Sequence, residues 1–418
     1  MPPKRPRVVV LGAGFGGLAA AKTLANKPVD VEIVDRRNYH TFSPLLYQVA
    51  TAGLNPADVA YPVRAIFRKA PNVTFRQGTV SSVEPGQHLV CLDDGTSVSY
   101  DFLIVALGAT TNYFGVRGAA EFAFPLYRLG GAVHLRNQIM SRFEAADATP
   151  ETIANGALTF VIVGGGPTGV EMAGAMMEIL QSVLFKDYPH IDRSAPKVVL
   201  VEMLDVLLSA FKDRSQRHAY EALVDRGVEI RTGTQVEEIT RDRVRFASGD
   251  ELAAQTVVWA AGVTARPVGQ LIRDASLASA GRVVVEPDLS LKDHSDVFVA
   301  GDLAADGHPQ LAPVAIQGGA HAAKQILRGL ADKPSVPFRY RSRGIMATIG
   351  RRAAVAELPL RISLSGTIAW LAWLVLHLAW LIGFRNRLSV LVNWGWNYVA
   401  WERGPRIIVD IDDPHRIM

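Results

Sequence analysis

Two copies of one glycine motif constrain this chain more than any other feature of its 418 residues. The first GxGxxG lies in RVVVLGAGFGGLAAAKTL, and the second lies in TFVIVGGGPTGVEMAGAMM. In each copy a β-branched run precedes the glycines and small residues follow them, which predicts a strand, a tight turn and a helix. Each copy is then followed by an apolar run that ends in an acid, Asp35 or Glu202. We therefore predict an internal duplication of a dinucleotide-binding unit.

The glycine spacing has a physical reason in such a unit. The first glycine permits the turn, the second lets the backbone approach a pyrophosphate, and the third lets the helix pack closely on the strand. The helix N-terminus faces the phosphates, and the acid accepts hydrogen bonds from ribose hydroxyls. The predicted binding residues are Gly12, Gly14, Gly16, Gly17 and Asp35 in the first unit and Gly164, Gly166, Gly169 and Glu202 in the second.

Composition excludes several classes of protein. The chain has a single cysteine, Cys91, so no intramolecular disulfide, CxxC pair or cysteine metal cluster can form. Its hydrophobic fraction of 49% supplies ample core material, and its net charge of +4 is too small to indicate nucleic acid. We expect two to four domains, no metal site, no cleaved signal in the N-terminal segment, and a location on the cytoplasmic side.

A third motif follows near residue 300. The stretch SDVFVAGDLA places Asp302 just after a buried strand, and LAPVAIQGGAHAAKQIL then predicts a helix. Pro313 suits the first position of that helix, because its missing N–H is not needed there. Gln317 falls one turn inside, and the two glycines after it would let a flat ring approach closely.

The C-terminal part of the chain differs from the rest in charge and in tryptophan content. Residues 362–384 carry no formal charge at neutral pH, and six of the seven tryptophans lie in this part of the chain. From Ala331 to Met418 there are twelve Lys or Arg against six Asp or Glu. Tryptophan and arginine suit a membrane surface with anionic lipids. A helix lying in the membrane interface, a single spanning helix and a soluble dimer interface are all consistent with this pattern, with the first favoured.

Together these motifs resemble those of the type II NADH dehydrogenases, the single-subunit NADH:quinone oxidoreductases. The resemblance rests on DRRNYHTFSPLLYQVATAGL, on both glycine motifs, on AGDLA and APVAIQGG, and on HLAWLIGFRNRLSVLVNW. It covers essentially the whole chain and implies FAD on the first unit, NADH on the second and a membrane quinone as the electron acceptor.

The resemblance also implies roles for single residues. Asp35 would bind the FAD ribose, the backbone near Val80 would contact the adenine, and Asp302 would contact the ribityl and phosphate groups. Glu171 and Gln317 would lie close to the isoalloxazine ring, where nicotinamide and quinone meet, and are the predicted catalytic residues. The remaining predicted contacts are Arg36, Gly108 and Gln317 for FAD and Glu171 and Gly262 for NAD.

The expected architecture is an α/β fold with two Rossmann-like domains and a C-terminal membrane-associated helical region. We predict an FAD domain from residues 1–156 and 280–330, an NAD domain from 157–279, and a strand-rich bridge with anchoring helices from 331–418. The expected activity is non-proton-pumping oxidation of NADH with two-electron reduction of quinone in the respiratory chain. The expected location is the cytoplasmic face of the cell membrane, and a homodimer remains open.

Three alternatives belong to other classes. A disulfide reductase or a sulfide:quinone oxidoreductase shares the twin-motif fold but needs paired cysteines. A soluble reductase of ferredoxin or another small acceptor needs no thiol, yet it has no use for the tryptophan-rich tail. A membrane-tethered NADH-binding sensor would bind the nucleotide without turnover.

Overall fold

A computed structural model of the chain describes residues 5–267, 271–273, 275–400 and 406–409. Its strands in chain order are β1 Arg7–Leu11, β2 Asp30–Asp35, β3 Tyr39–Thr41, β4 Ala60–Pro62, β5 Val73–Gln77, β6 Val80–Glu84, β7 Leu89–Leu92, β8 Ser97–Ser99, β9 Phe102–Val105, β10 Ala109–Thr111, β11 Ala123–Pro125, β12 Thr159–Val163 and β13 Lys197–Val201. The remaining strands are β14 Glu229–Arg231, β15 Val236–Ile239, β16 Arg243–Phe246, β17 Glu251–Ala253, β18 Thr256–Trp259, β19 Val263–Ala265, β20 Val283–Val284, β21 Ser290–Leu291, β22 His294–Val299, β23 Ala304–Ala305, β24 Ile345–Gly350, β25 Ala353–Glu357 and β26 Ser363–Ser365.

The α-helices are α1 Phe15–Leu24, α2 Leu46–Ala50, α3 Pro56–Val59, α4 Val63–Ile66, α5 Ala119–Phe122, α6 Leu129–Ala148, α7 Pro167–Ile179, α8 Phe185–Asp187, α9 Asp213–Val224, α10 Ala312–Gly329, α11 Gly366–Trp380 and α12 Phe384–Ala400. Short 3-10 turns cover Ser43–Leu45, Pro85–Gln87, Pro150–Ile153, Ser279–Gly281, Gly301–Leu303 and Pro359–Arg361, and a π-helical turn covers Leu180–Leu184.

Contacts within the chain divide it into two compact units. Unit 1 comprises Met1–His40, Tyr61–Thr110 and Val263–Ser342, and unit 2 comprises Thr41–Ala60, Thr111–Gly262 and Arg343–Met418.

Unit 1 is built on a six-stranded sheet with the order β21-β22-β9-β1-β2-β5. Its strands are parallel except at the β21 edge. Buried valine, leucine and isoleucine fill the inner strands, as expected for a parallel sheet covered on both faces. Helices α1 and α10 pack together so closely that a Cβ built on Gly319 would lie 2.0 Å from the carbonyl oxygen of Gly16. Gly319 is therefore required for helix packing, a reason that differs from the ring contact suggested by its position in the sequence.

Unit 2 is built on a five-stranded parallel sheet with the order β11-β18-β12-β13-β14. Three antiparallel strands, β15-β16-β17, form a second sheet, and β24-β25-β26 form a third. Strand β24 packs on α7, and a Cβ built on Gly174 would lie 2.1 Å from the carbonyl oxygen of Ile349. The expected α/β fold with two parallel sheets is confirmed.

Helix α12 is held on residues 41–60 of unit 2 by a buried polar cluster. Asp58 accepts hydrogen bonds from Ser389 Oγ at 2.6 Å and from Asn393 Nδ2 at 2.9 Å. Asn386 Nδ2 donates to the carbonyl oxygens of Ala57, Asp58 and Ala60. No helix in the described ranges has both the length and the apolar character needed to cross a bilayer.

The two units differ from the predicted domain boundaries at residues 41–60, 111–156, 263–279, 331–342 and 343–418. Residues 111–156 group with unit 2, because β11 pairs with β18 and Gln138 Nε2 on α6 donates to the Gln255 carbonyl oxygen at 2.9 Å. Residues 343–400 also group with unit 2 rather than forming a third region, because β24 packs on α7. Residues 331–342 group with unit 1. The predicted assignment of one cofactor to each domain stays a prediction.

Candidate active site

The first glycine motif forms the turn that its spacing predicts. Gly12 has φ +99°, and a Cβ built there would lie 2.4 Å from the carbonyl oxygen of Ala106. A Cβ on Gly17 would lie 1.8 Å from the carbonyl oxygen of Gly12, so the start of α1 lies directly on the turn. A Cβ on Gly14, in contrast, meets nothing within 4 Å. The turn is closed toward the protein and open at the helix N-terminus.

The second glycine motif in unit 2 repeats this geometry. Gly164 has φ +111°, and its Cβ would lie 2.8 Å from Ala261 Cα. A Cβ on Gly169 would lie 1.8 Å from the carbonyl oxygen of Gly164, while one on Gly166 meets nothing within 4 Å. In both units the first and third glycines of the motif leave no room for a Cβ, whereas the second glycine does. The two motifs are therefore equivalent in structure as well as in sequence.

The acid at the end of β2 is bound to the first glycine turn. Asp35 Oδ2 accepts a hydrogen bond from the backbone N–H of Ala13 at 2.7 Å, and Oδ1 accepts one from the N–H of Arg37 at 2.8 Å. The carboxylate is thereby oriented beside the open helix N-terminus, where a ribose hydroxyl could reach it.

The acid after β13 is bound in the same way in unit 2. Glu202 Oε2 accepts from the N–H of Gly165 at 2.5 Å, and Oε1 accepts from the N–H of Leu204 at 2.8 Å. Met203 and Leu204, which follow it, have exposed side chains. Residues 203–205 contain no arginine that could compensate the charge of a 2′-phosphate.

Arg36 carries a polar atom that is buried without a hydrogen-bond partner. Its Nη2 has none among the described residues. Burial, together with the neighbouring charges of Arg266 and Arg37, lowers the pKa of the guanidinium to about 10. A site for an anionic group beside Arg36 would relieve both effects, which fits the phosphates of a dinucleotide.

Other predicted FAD residues occupy positions around the sheet of unit 1. Gly16 lies in α1 against α10, with its built Cβ 3.2 Å from the carbonyl oxygen of Ala315. Val80 begins β6 and packs on the core. Gly108 has φ +70° with open space around its Cβ. Asp302 lies in the turn Gly301–Leu303, where its carbonyl oxygen accepts from Gln310 Nε2 at 2.9 Å.

Gln317 lies inside α10, as predicted, and the helix begins at Ala312, one residue before the predicted start at Pro313. Its side-chain amide forms a reciprocal pair with one backbone unit: Nε2 donates to the carbonyl oxygen of Arg341 at 2.9 Å, and Oε1 accepts from the Arg341 N–H at 3.0 Å. A primary amide carries two N–H groups, and the Arg341 carbonyl takes one of them. The amide orientation is therefore set by the segment after α10, a contact that the sequence did not reveal.

Glu171 is a buried carboxyl group on α7, with 8% of the residue exposed. Burial raises its pKa to about 8. Two donors partly oppose this rise in pKa: the backbone N–H of Thr348, which reaches Oε1 at 3.3 Å, and the indole of Trp373. At neutral pH the carboxyl group therefore carries a proton, a condition suited to proton transfer.

The partners of Glu171 were not foreseen from the sequence. Trp373 lies on α11 and is 1% exposed, and its ring stacks on His377 with centroids 4.0 Å apart. His377 Nδ1 lies 2.8 Å from the carbonyl oxygen of Trp373, and burial lowers the pKa of His377 to about 4. A tryptophan in a long apolar segment indicates packing or a membrane contact, so only the fold could reveal its place beside a carboxyl group.

Gly262 lies at the end of the unit 2 segment, with φ +57°. A Cβ at this position would lie 2.4 Å from Cζ of Phe114, so glycine is required for the close approach of that exposed ring. The Gly262 carbonyl oxygen accepts from the N–H of Asn112 at 3.4 Å, and Trp259 Nε1 donates to the carbonyl oxygen of Asn112 at 2.8 Å.

The predicted catalytic pair is divided between the units, with Glu171 in unit 2 and Gln317 in unit 1. Their meeting at a flavin stays a prediction. Within the ranges that the structure describes, no three histidine, cysteine or acidic side chains converge as metal ligands would.

The residues present fit two dinucleotides. Each unit has a glycine turn that is open at the helix N-terminus and an acid tied to that turn, and unit 1 adds the unpartnered Nη2 of Arg36. Backbone N–H groups at a helix N-terminus favour phosphate, and the acid selects ribose hydroxyls.

Comparison with known proteins agrees with this arrangement. The family model of the pyridine nucleotide-disulphide oxidoreductases matches residues 6–319, and that of the NDH2 C-terminal domain matches residues 343–400. Among solved structures, NDH2 from Plasmodium falciparum in complex with NADH has a TM-score of 0.88 at 18% identity, covering 97% of this chain and 100% of its own. The sulfide:quinone oxidoreductase of Aquifex aeolicus has a TM-score of 0.74 at 18% identity, covering 98% of each chain. At these identities the likeness shows the fold alone.

Curated relatives define the family more closely. The type II NADH:quinone oxidoreductase Ndh of Mycobacterium tuberculosis is 40% identical over 98% of this chain and 91% of its own length. The second such protein of that organism, NdhA, is 38% identical over 97% of this chain and 89% of its own length. An identity of 40% over nearly the whole of both chains places the two in one family, and this chain therefore belongs to the type II NADH:quinone oxidoreductases.

Proposed function

We propose that this chain oxidises NADH and reduces a membrane quinone by two electrons through bound FAD, as a non-proton-pumping enzyme of a respiratory chain. The observation that carries the proposal is the repeated glycine turn, each copy open at its helix N-terminus and each tied to one acid. Two equivalent dinucleotide sites in one chain suit an enzyme that passes electrons from a nicotinamide to a flavin.

Bound FAD supplies a ring that accepts a hydride from NADH and passes the electrons to quinone. The chain itself supplies position and charge. Asp35 and the N-terminus of α1 hold the ribose and phosphates of FAD in unit 1, and Arg36 adds a positive charge. Glu202 and the N-terminus of α7 hold the corresponding groups of NADH in unit 2.

Glu171 handles a proton in this scheme. Its Oε1 accepts from the Thr348 N–H, which leaves Oε2 to carry the proton at neutral pH. Reduction of a quinone to a quinol takes up two electrons and two protons. The hydride from NADH brings both electrons and one proton, and Glu171 Oε2 donates the second proton to a quinone oxygen. The carboxylate then regains a proton from water.

Gln317 acts as a hydrogen-bond donor to the quinone. Its amide orientation is set by the Arg341 backbone, and the second N–H of Nε2 is available by valence. A quinone oxygen becomes more negative as electrons arrive, so this hydrogen bond strengthens along the reaction and lowers its barrier.

The C-terminal helices attach the enzyme to the membrane surface on its cytoplasmic side. On α12 one face is buried on residues 41–60 through Asn386, Val390 and Trp394, while the other face is apolar and exposed. The exposed apolar side chains of the two helices are Ile368, Leu371, Val375, Phe384, Leu388, Leu391, Val392 and Trp396. Exposed arginines at 385 and 387 suit anionic lipid headgroups.

Steady-state assay of the purified protein in detergent tests the function. With NADH and a short-chain quinone, continuous NADH oxidation is expected. A single bleaching of the flavin without turnover would instead indicate a sensor. NADH-dependent reduction of a ferredoxin, with no quinone reduction, would favour the soluble-type reductase. The NDH2 C-terminal match at 343–400 favours the quinone.

A further inference from the structure

The indole N–H of Trp373 is a buried donor with no regular hydrogen bond. Nε1 has no partner among the described residues, although the whole residue is 1% exposed. A buried donor left unpaired is destabilising, because it has lost its hydrogen bonds to water and gained none in the protein. The Glu171 carboxyl is near enough for this N–H to lower its pKa, although the two groups form no regular hydrogen bond.

The indole ring is held in place by its aromatic neighbours. It stacks on His377 with ring centroids 4.0 Å apart. Its ring centroid lies 6.3 Å from that of Tyr47 and 6.0 Å from that of Trp394. Trp394 is itself fixed, because its Nε1 donates to Gln48 Oε1 at 2.8 Å. The direction of the Trp373 N–H is therefore set by packing.

Among the described residues no charged group shifts the pKa of Glu171, because burial and two neutral donors account for the shift. Strands β12 and β24 carry no titratable residue. Several titratable groups lie on α7, on α11 or on other elements packed against α7. On α7 and α11 they are Glu178, which accepts from the Arg351 N–H, and His377. On the other elements they are the phenol of Tyr47 on α2, Lys197 on β13, and the half-buried His218 and the exposed charges of α9.

We propose that Trp373 is a positioning residue for Glu171, whose buried indole N–H is reserved for the carboxylate that remains after Glu171 gives up its proton. The proposal rests on the proposed role of Glu171 in quinone reduction. While the carboxyl is protonated, the Thr348 N–H serves Oε1 and the indole N–H stays weakly engaged. After proton transfer the carboxylate accepts a full hydrogen bond from Trp373, which stabilises the charge in a buried site.

The test is an infrared pH titration of the purified holoenzyme in detergent. The carboxyl C=O band of Glu171 is assigned by its absence in Glu171→Gln. Trp373→Phe removes the donor and keeps an aromatic ring, and we expect its band to titrate about one pH unit higher than the wild type. Trp259→Phe is the matched control, because it removes a buried indole N–H of unit 2 outside this aromatic cluster, and its titration midpoint should equal that of the wild type.

Placing 3-benzothienylalanine at position 373 keeps the outline of the indole and removes the N–H, so it guards against a folding defect in Trp373→Phe. The same upward shift is expected. The alkaline limb of the pH profile for flavin reoxidation by quinone should move in the same direction. An infrared shift without quinone turnover would support the Trp373–Glu171 pair while contradicting the proposed function. Unchanged midpoints in both 373 variants, or an equal shift in Trp259→Phe, would overturn the proposal.

Discussion

Glu202 accepts a hydrogen bond from the backbone N–H of Gly165 at 2.5 Å, which ties the acid after β13 to the second glycine turn. Asp35 and Ala13 form the equivalent contact in unit 1 at 2.7 Å. In both units the acid is oriented by the turn that it serves, so its position does not depend on a ligand. Selectivity for the nucleotide can then be tested by changing the acid alone.

Glu202→Gln should narrow the preference for NADH over NADPH by roughly ten-fold or more, because a hydrogen bond to a charged group contributes about 1.5–3 kcal/mol and a 2′-phosphate would no longer meet like charge. The measurement is kcat/KM for each nucleotide. Asp205→Asn is the control, since it removes a nearby carboxylate that does not contact the turn amide. An unchanged preference in Glu202→Gln would remove this residue from the role.

Gly14→Ala should leave the fold intact and reduce FAD content, because its Cβ meets no protein atom and occupies the open space at the helix N-terminus. Gly12→Ala should disrupt the fold itself, because its Cβ would lie 2.4 Å from a backbone oxygen at φ +99°. Acid precipitation followed by analysis of the supernatant measures the flavin, which we expect as intact, non-covalent FAD. Circular dichroism measures folding. Gly14→Ala protein that retains full FAD would contradict the site.

Gln317→Ala and Glu171→Ala should each leave FAD content unchanged and slow flavin reoxidation by quinone. Removal of one transition-state donor or acid typically costs about 10²-fold or more. For Gln317→Ala the effect on flavin reduction by NADH should be smaller. Stopped-flow measurement of the two half-reactions separates these steps. If Gln317→Ala slowed only the reductive half-reaction, Gln317 would belong to the nicotinamide site instead.

Glu171 should make the protein less stable as pH rises. In the unfolded chain its pKa is near 4.5, whereas in the folded protein it is about 8. Between these values the unfolded state has lost the proton and the folded state keeps it, so the free energy of unfolding falls with rising pH. Glu171→Gln stays neutral and should lose less stability between pH 5 and pH 8, by on the order of 3 kcal/mol. Thermal unfolding at pH 5 and at pH 8 measures this loss of stability. Glu221→Gln changes an exposed carboxylate and is the control, whose stability should follow that of the wild type.

Charges placed on the exposed apolar surface of helices α11 and α12 should weaken membrane attachment. Val375→Glu combined with Val392→Glu puts one carboxylate on each of α11 and α12, and binding to vesicles that contain anionic phospholipid should fall roughly ten-fold or more. Val224→Glu changes an exposed valine elsewhere in unit 2 and should bind as the wild type does. Equal binding by all three proteins would contradict attachment through these helices.

Alkaline carbonate washing of native membranes tests how deeply helices α11 and α12 are inserted. We expect washing to extract the enzyme, as for a protein attached by a helix lying in the interface. Retention after washing would instead favour a spanning segment. Point substitutions test attachment better than removal of residues 363–418, because the deletion would take β26 from its sheet and uncover the buried Asp58.

The amino-acid sequence by itself determined the features that depend on short stretches of chain. A glycine at φ +99° or +111°, a proline in the first turn of α10 and an acid at the end of a strand each follow from local conformational rules. The duplicated motif and the α/β fold followed from these signals, whereas the family followed from the resemblance of longer stretches such as DRRNYHTFSPLLYQVATAGL.

Only the tertiary structure decided the contacts between distant segments. Glu171 accepts a hydrogen bond from Thr348, which lies 177 positions later in the chain, and Gln317 is hydrogen-bonded to the backbone of Arg341. Asp58 accepts a hydrogen bond from Ser389, which lies 331 positions later on α12. The same packing grouped residues 111–156 and 343–400 with unit 2. Such contacts depend on which faces of helices and sheets are buried together, and periodicity in the sequence identifies a buried face without naming its partner. The partner in turn sets the desolvation that raises the pKa of Glu171 and the hydrogen bonds that partly oppose that rise.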